Sequence, residues 1–127
     1  MALGDIGGVV TELVITCRTP ESGDVDIAKG DALKLAGSYT VTNATDAEDA
    51  VFGQAMAATQ ENGVHIPVKV RGVCVFPYTG ETAPVVDGLA GILASATAGR
   101  VKKPATGNGV GINVKVDTTA QLVHVLL

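Results

Sequence analysis

The side chains able to do chemistry are few, and their spacing argues against a reaction centre. The two histidines, His65 and His124, stand 59 positions apart, and the two cysteines, Cys17 and Cys74, stand 57 apart. Only a tertiary coincidence would join them in a zinc site or a nucleophile–base pair. Both histidines fall on the polar side of strongly alternating segments, where a solvated imidazole is expected. Both cysteines lie within β-rich runs, where a buried, inert thiol is expected. Gly107-Asn108-Gly109-Val110-Gly111 has the glycines of a phosphate loop. It lacks the Gly-Lys-Ser/Thr ending, Ile112 stands where a dinucleotide fingerprint needs its third glycine, and a strand follows where a helix should, so it reads as a turn. Asp24, Asp26 and Asp31 lack the spacing and closing glutamate of a calcium loop, and Asp46, Glu48 and Asp49 read as a solvated acidic turn. The expectation is a protein that is not an enzyme and has no cofactor, no resident metal and no small-molecule substrate.

The elements around these residues are strands. Val64-His65-Ile66-Pro67-Val68-Lys69-Val70-Arg71 alternates apolar and polar residues without a break, and Val110-Gly111-Ile112-Asn113-Val114-Lys115-Val116-Asp117 repeats the rhythm. A period of two marks a strand with one face buried and one face wet. Gly8 to Cys17 supplies a first strand, Val25 and Ile27 a second that turns through Lys29-Gly30-Asp31 into Leu33 and Leu35, and Tyr39 with Val41 another. Asn62-Gly63 is a turn. After Gly72 the apolar positions change from even to odd numbers, Val73 and Val75, which predicts a one-residue phase slip there. Pro67 cannot donate to a ladder, so its strand is expected at an edge or bulged. Residues 76–88 read as a long loop, Leu89 to Leu93 as one helical turn, Arg100 to Lys103 as a short basic strand, and Leu122 to Leu127 as the partner of 110–116.

One segment is ambiguous. Across Asp46 to Thr59, Thr45 with Glu48 fits a capping box, and Val51, Phe52, Ala55, Met56 and Thr59 fit a helical stripe. At period two, Val51, Gly53, Ala55 and Ala57 share a face instead. Local pattern alone favours the helix. The whole arrangement, short strands at roughly ten-residue spacing without βαβ alternation, predicts an all-β fold: a small antiparallel β-barrel or sandwich with long loops. Residues 1–24 are expected to form an extended N-terminal arm and the first strand, and residues 25–127 a single β domain.

Composition narrows the function. The 127 residues carry 17% charged and 3% aromatic side chains, with no tryptophan. So low a charge fraction, against about 25% for an average soluble domain, suits an exterior partly covered by a neighbour. So few aromatics make poor stacking platforms for single-stranded nucleic acid. The net charge of −4 combines ten acids and three bases in residues 1–61 with three acids and six bases in residues 62–127. An acidic chain without a basic stripe is not expected to bind nucleic acid. No apolar run is long enough to cross a bilayer, so no membrane partner is expected. The opening residues lack both the positive start and the apolar run of a secretory leader, so synthesis in the cytoplasm and reduced thiols are expected.

The succession Lys29-Gly30-Asp31-Ala32-Leu33-Lys34-Leu35, Val51-Phe52-Gly53-Gln54-Ala55 and Val68-Lys69-Val70-Arg71-Gly72-Val73 resembles the capsid cement, or head decoration, proteins of tailed bacteriophages. The closing hairpin from Gly111 to Asp117 and Val123 to Leu127 is similar to that family's last one. The likeness covers about residues 25–127. It implies a structural virion protein on the capsid exterior, made in the host cytoplasm, with the major capsid protein and its own copies, as a homotrimer, for partners. It also implies that 51–57 is strand. Such a protein binds between capsomers and stabilises the expanded shell against DNA pressure.

Leu3, Ile6, Val9 and Val10 of the arm are then expected to meet capsid strands by β-augmentation, with Pro67, Lys69 and Arg71 blunting an exposed edge. The alternatives are another virion component, such as a tail-tube or head-completion protein, and a small-ligand β-barrel. The last would need a polar-lined cavity that the clean alternations do not suggest.

Overall fold

The computed structural model describes residues 3, 12–87 and 89–127. The fold is all-β, with ten strands and no helix among the described residues: β1 (Leu13–Arg18), β2 (Ala32–Gly37), β3 (Thr40–Thr42), β4 (Gly53–Ala55), β5 (His65–Arg71), β6 (Val73–Pro77), β7 (Leu93–Ala94), β8 (Val101–Lys102), β9 (Ile112–Asp117) and β10 (Leu122–Leu126). Five of them close into a barrel in the order β1-β3-β2-β4-β5. Every pairing in it is antiparallel except a single parallel bridge, Arg18 to Thr40, between β1 and β3. Beside the barrel stand the sheet β6-β10-β9 and the hairpin β7-β8.

Each part has its own core. Cys17, Leu33, Val41, Ala55, Ile66, Val68 and Val70 fill the barrel. Cys74, Phe76, Ile92, Val101, Val123 and Val125 pack between the sheet, the small hairpin and the barrel wall, which contributes Ala32 and Val51. On β5 the buried set is Ile66, Val68 and Val70, and the odd positions face out, as the alternation predicts. The chain passes from one core to the other at Gly72, whose φ of +113° is a backbone conformation that side chains with a Cβ rarely adopt.

Several expectations are corrected. No helix forms at 46–59. Gly53 and Ala55 of β4 face the barrel interior, while Gln54 on the opposite side is covered by the sheet and donates to the Val75 carbonyl at 2.8 Å. All three residues are therefore buried, and a helical stripe has no dry groove to fill. A Cβ on Gly53 would lie 2.6 Å from the Lys69 carbonyl oxygen, so β4 reaches β5 only because this residue is glycine.

Thr45 and Glu48 cap no helix. The Thr45 hydroxyl donates to the Ser95 carbonyl at 2.6 Å. Val25 and Ile27 do not pair with β2. Ile27 instead bridges Thr59, because both flanks of β2 are taken by β3 and β4. Tyr39 is the turn between β2 and β3, at φ +50°, and is exposed. Leu89 to Leu93 forms no helical turn, and Leu93 belongs to β7.

The phase slip is absent at Gly72. Cys74 and Phe76 are buried and Val75 is exposed. The slip occurs in β9, where register is lost between Asn113 and Lys115 opposite His124 and Val125. Asn113 consequently faces inward, and Ile112 and Val114 face out, the reverse of the simple alternation.

Pro67 is neither at an edge nor bulged, since β5 pairs with β1 on one flank and β4 on the other. Its carbonyl accepts from the Met56 amide at 3.0 Å. The missing N–H therefore points to the same flank, just past the end of β4, and the ladder to β1 loses nothing.

Candidate interaction surfaces

The cysteines and the acidic turn are built into the fold. Cys17 and Cys74 are free, buried and in different cores, and burial pushes both thiols up. His65 is exposed on the barrel's outer wall, and His124 is half-buried opposite Val75 on β6 and Lys115 on β9. Asp31 pins its own turn, accepting from the Ala28 amide at 2.9 Å and from the Asn43 side chain at 2.8 Å.

The acidic turn ties the two parts together. Asp49 pairs with Lys34 at 2.7 Å and accepts from the Asp46 amide at 2.9 Å. Glu48 bonds Lys102 of β8 and the Ala105 amide. Hydrogen bonds from Lys102 and Lys34 are the main cause holding the Glu48 and Asp49 carboxyls below their ordinary values. Among the described residues no group of three or more His, Cys, Asp or Glu side chains could hold a metal ion.

Of the expected contact residues, Ile6, Val9 and Val10 lie outside the described residues. Leu3 is 105% exposed. Pro67, Lys69 and Arg71 share the outer wall of β5, but they are not a row of free groups. Lys69 bonds Glu12 at 2.9 Å and the Val73 carbonyl at 2.7 Å, with 13% of its side chain exposed. Arg71 donates to the Val70 carbonyl at 2.7 Å, and Pro67 is exposed.

The surface that sequence reasoning missed is the outer face of β6-β10-β9. Ile112, Leu126 and Val73 form one row across it, and Lys115, His124 and Val75 form the next, with Val114 at the bulge beside them. Ile112 is 43% and Val114 45% exposed. On the inner side Asn113 donates to the Val85 and Gly91 carbonyls at 2.9 and 3.0 Å, which fastens both residues beneath the sheet. The usable signal was Asn113 itself, whose amide can replace backbone donors for a loop that has no ladder of its own.

A second apolar feature is a hollow of about 300 Å³ at one end of the barrel, lined by Ile15, Leu35, Gly37, Ser38, Tyr39 and Phe52. Two of the chain's four aromatic rings border it.

The chain matches no protein-family model, and no curated protein matches its sequence.

Proposed function

We propose that the chain is a structural virion protein that binds the outer surface of a phage capsid and stabilises the expanded shell, with the major capsid protein and copies of itself as partners. The observation that carries this reading is the apolar outer face of β6-β10-β9, where Ile112, Val114 and Leu126 stand in water although polar residues would serve the strand as well. Exposed apolar rows on a sheet are characteristic of protein contact surfaces. The segments that resemble the cement proteins agree with it. Lys29 to Leu35 is a turn and strand, Val51 to Ala55 ends in β4, and the closing segment is the β9–β10 hairpin.

Function would follow from mass action. A ligand that binds the expanded shell and not its precursor stabilises the expanded form by its own binding free energy. Many weak contacts to a repeated surface supply avidity without a large individual interface.

The test is electron microscopy of immature and expanded shells, assembled from the major capsid protein encoded nearest to this chain and incubated with the purified protein. Regular added density is expected on expanded shells only, and Val114→Asp should abolish it. No density on expanded shells overturns the proposal. Rings or tubes of the protein alone would favour a tail-tube or head-completion role.

A further inference from the structure

We infer that the apolar hollow at the barrel end receives the N-terminal arm of a second copy of this chain, with Leu3 as its anchor. The inference does not depend on the capsid reading. The hollow is an unfinished piece of barrel: Leu33 is completely buried, whereas Leu35, two residues along the same strand, is 50% exposed, and Tyr39 above it is 73% exposed. Its wall is also incomplete. β1 meets β3 through one bridge at Arg18, so among the described residues the backbone groups of Val14 and Thr16 on that flank face no partner strand. An extended segment laid there would gain backbone hydrogen bonds along β1 and a dry socket for an apolar side chain, which is how β-augmentation combines affinity with specificity.

The arm has the matching chemistry. Leu3 is a large apolar side chain standing wholly clear of its own molecule. Immediately before β1, the Glu12 carboxylate is held at 2.9 Å by Lys69 on the outer wall of β5. That ion pair lies on the β5 side of β1, whereas the hollow opens on the other side, against the β2–β3 hairpin. From Glu12 to Leu3 an extended chain reaches up to about 30 Å. That is enough to leave the parent barrel, and the three glycines at 4, 7 and 8 let it follow a neighbour's surface. Reciprocal or cyclic exchange of such arms would make a closed oligomer.

The test is disulfide trapping in the full-length chain carrying Leu3→Cys and Leu35→Cys, both at exposed positions. The protein is oxidised with glutathione disulfide while native, quenched with iodoacetamide and then denatured. Covalent dimers and larger closed species are expected at micromolar concentration. They should be absent from a control pairing Leu3→Cys with Leu89→Cys, which places the second thiol at an exposed site away from the hollow. A cross-link confined to monomers would mean that the arm folds onto its own barrel, and no cross-link would mean that the hollow does not receive it. Either result overturns the inference.

Discussion

The barrel and the sheet beside it each contain a strand of alternating apolar and polar residues, yet β5 and β9 spend their apolar residues in opposite ways. On β5 the apolar side chains Ile66, Val68 and Val70 are buried and the polar ones look outward. On β9 it is Asn113 that is buried, while Ile112 and Val114 look outward. The inner side of the sheet already has Cys74, Phe76, Val123 and Val125, with Val116 of β9 packed against them, so Ile112 and Val114 are free to face away. Alternation therefore reveals that a strand has two unlike faces, but not which one the core takes. An apolar face left over after the core is full is a candidate contact surface.

The largest effects will come from the two cores. Phe76→Ala should cost about 3–5 kcal/mol and Leu33→Ala about 2–5 kcal/mol, read by urea unfolding monitored by circular dichroism. Both are expected to shift one common transition, because Ala32 and Val51 of the barrel belong to the second core, and the Ala32 and Gly99 amides donate to carbonyls across the junction. Two separate transitions would break the comparison, making the parts independent.

Next in size is Asn113→Ala. It strips both donors from the part-buried Val85 and buried Gly91 carbonyls, and a loss of about 1–3 kcal/mol is expected. Raised amide exchange should be confined to residues 85–92. A neutral result would mean that Asn113 does not organise this loop. By contrast Ile112→Ser and Val114→Ser should change stability by no more than about 0.5 kcal/mol while weakening attachment to shells. If they unfold the protein instead, that face is core and the contrast between the two regions disappears.

Much of the fold was legible from residues. β5, the Asn62-Gly63 turn and the closing hairpin followed from period and punctuation. What escaped was decided by neighbours distant in sequence. Gly53 to Ala55 is strand because β2 and β5 flank it and the sheet covers its back, information that no window around Met56 contains. The bulge at Val114 has no glycine to announce it, whereas Gly72, which suggested a slip, serves a passage between cores instead. Of the candidate contact surfaces, the arm and β5 were proposed from pattern alone. The outer face of β9 could not be, because its exposure depends on a register set by β10.

Acid should loosen the junction before either core. Glu48 and Asp49 have folded-state values lowered by their lysine partners. Their stabilisation is therefore complete above the unfolded values, about 4.3 and 3.9, and is lost as pH falls through the lower folded ones. Lys34, raised chiefly by its hydrogen bond to Asp49, contributes below its unfolded value and loses that contribution only as strongly alkaline pH passes its folded one. Both carboxylates sit at the surface, so the effect is small and salt weakens it. Hydrogen exchange at segments 46–49 and 101–105 should rise between pH 4.5 and pH 3 ahead of β5 and β10, and Glu48→Gln should remove part of that dependence. Simultaneous loosening of all four segments would show that the ion pairs do not hold the junction.

The finest probe compares one buried thiol in each region. Alkylation requires the thiolate, and burial raises both cysteines; at Cys74 the nearby Lys69 charge offsets part of the rise. Reaction in the native protein must therefore report opening of the surrounding core. Cys17 lies on β1, which among the described residues is held on the β3 flank by one bridge, whereas Cys74 lies on β6, paired along its whole length with β10 and capped on its other edge by Gln54 and Lys69. Cys17 should react faster with iodoacetamide, by a ratio that falls toward one as urea approaches the unfolding midpoint and global opening takes over. Faster reaction at Cys74, or equal rates without urea, would mean that the open flank of β1 is no weaker than the sheet.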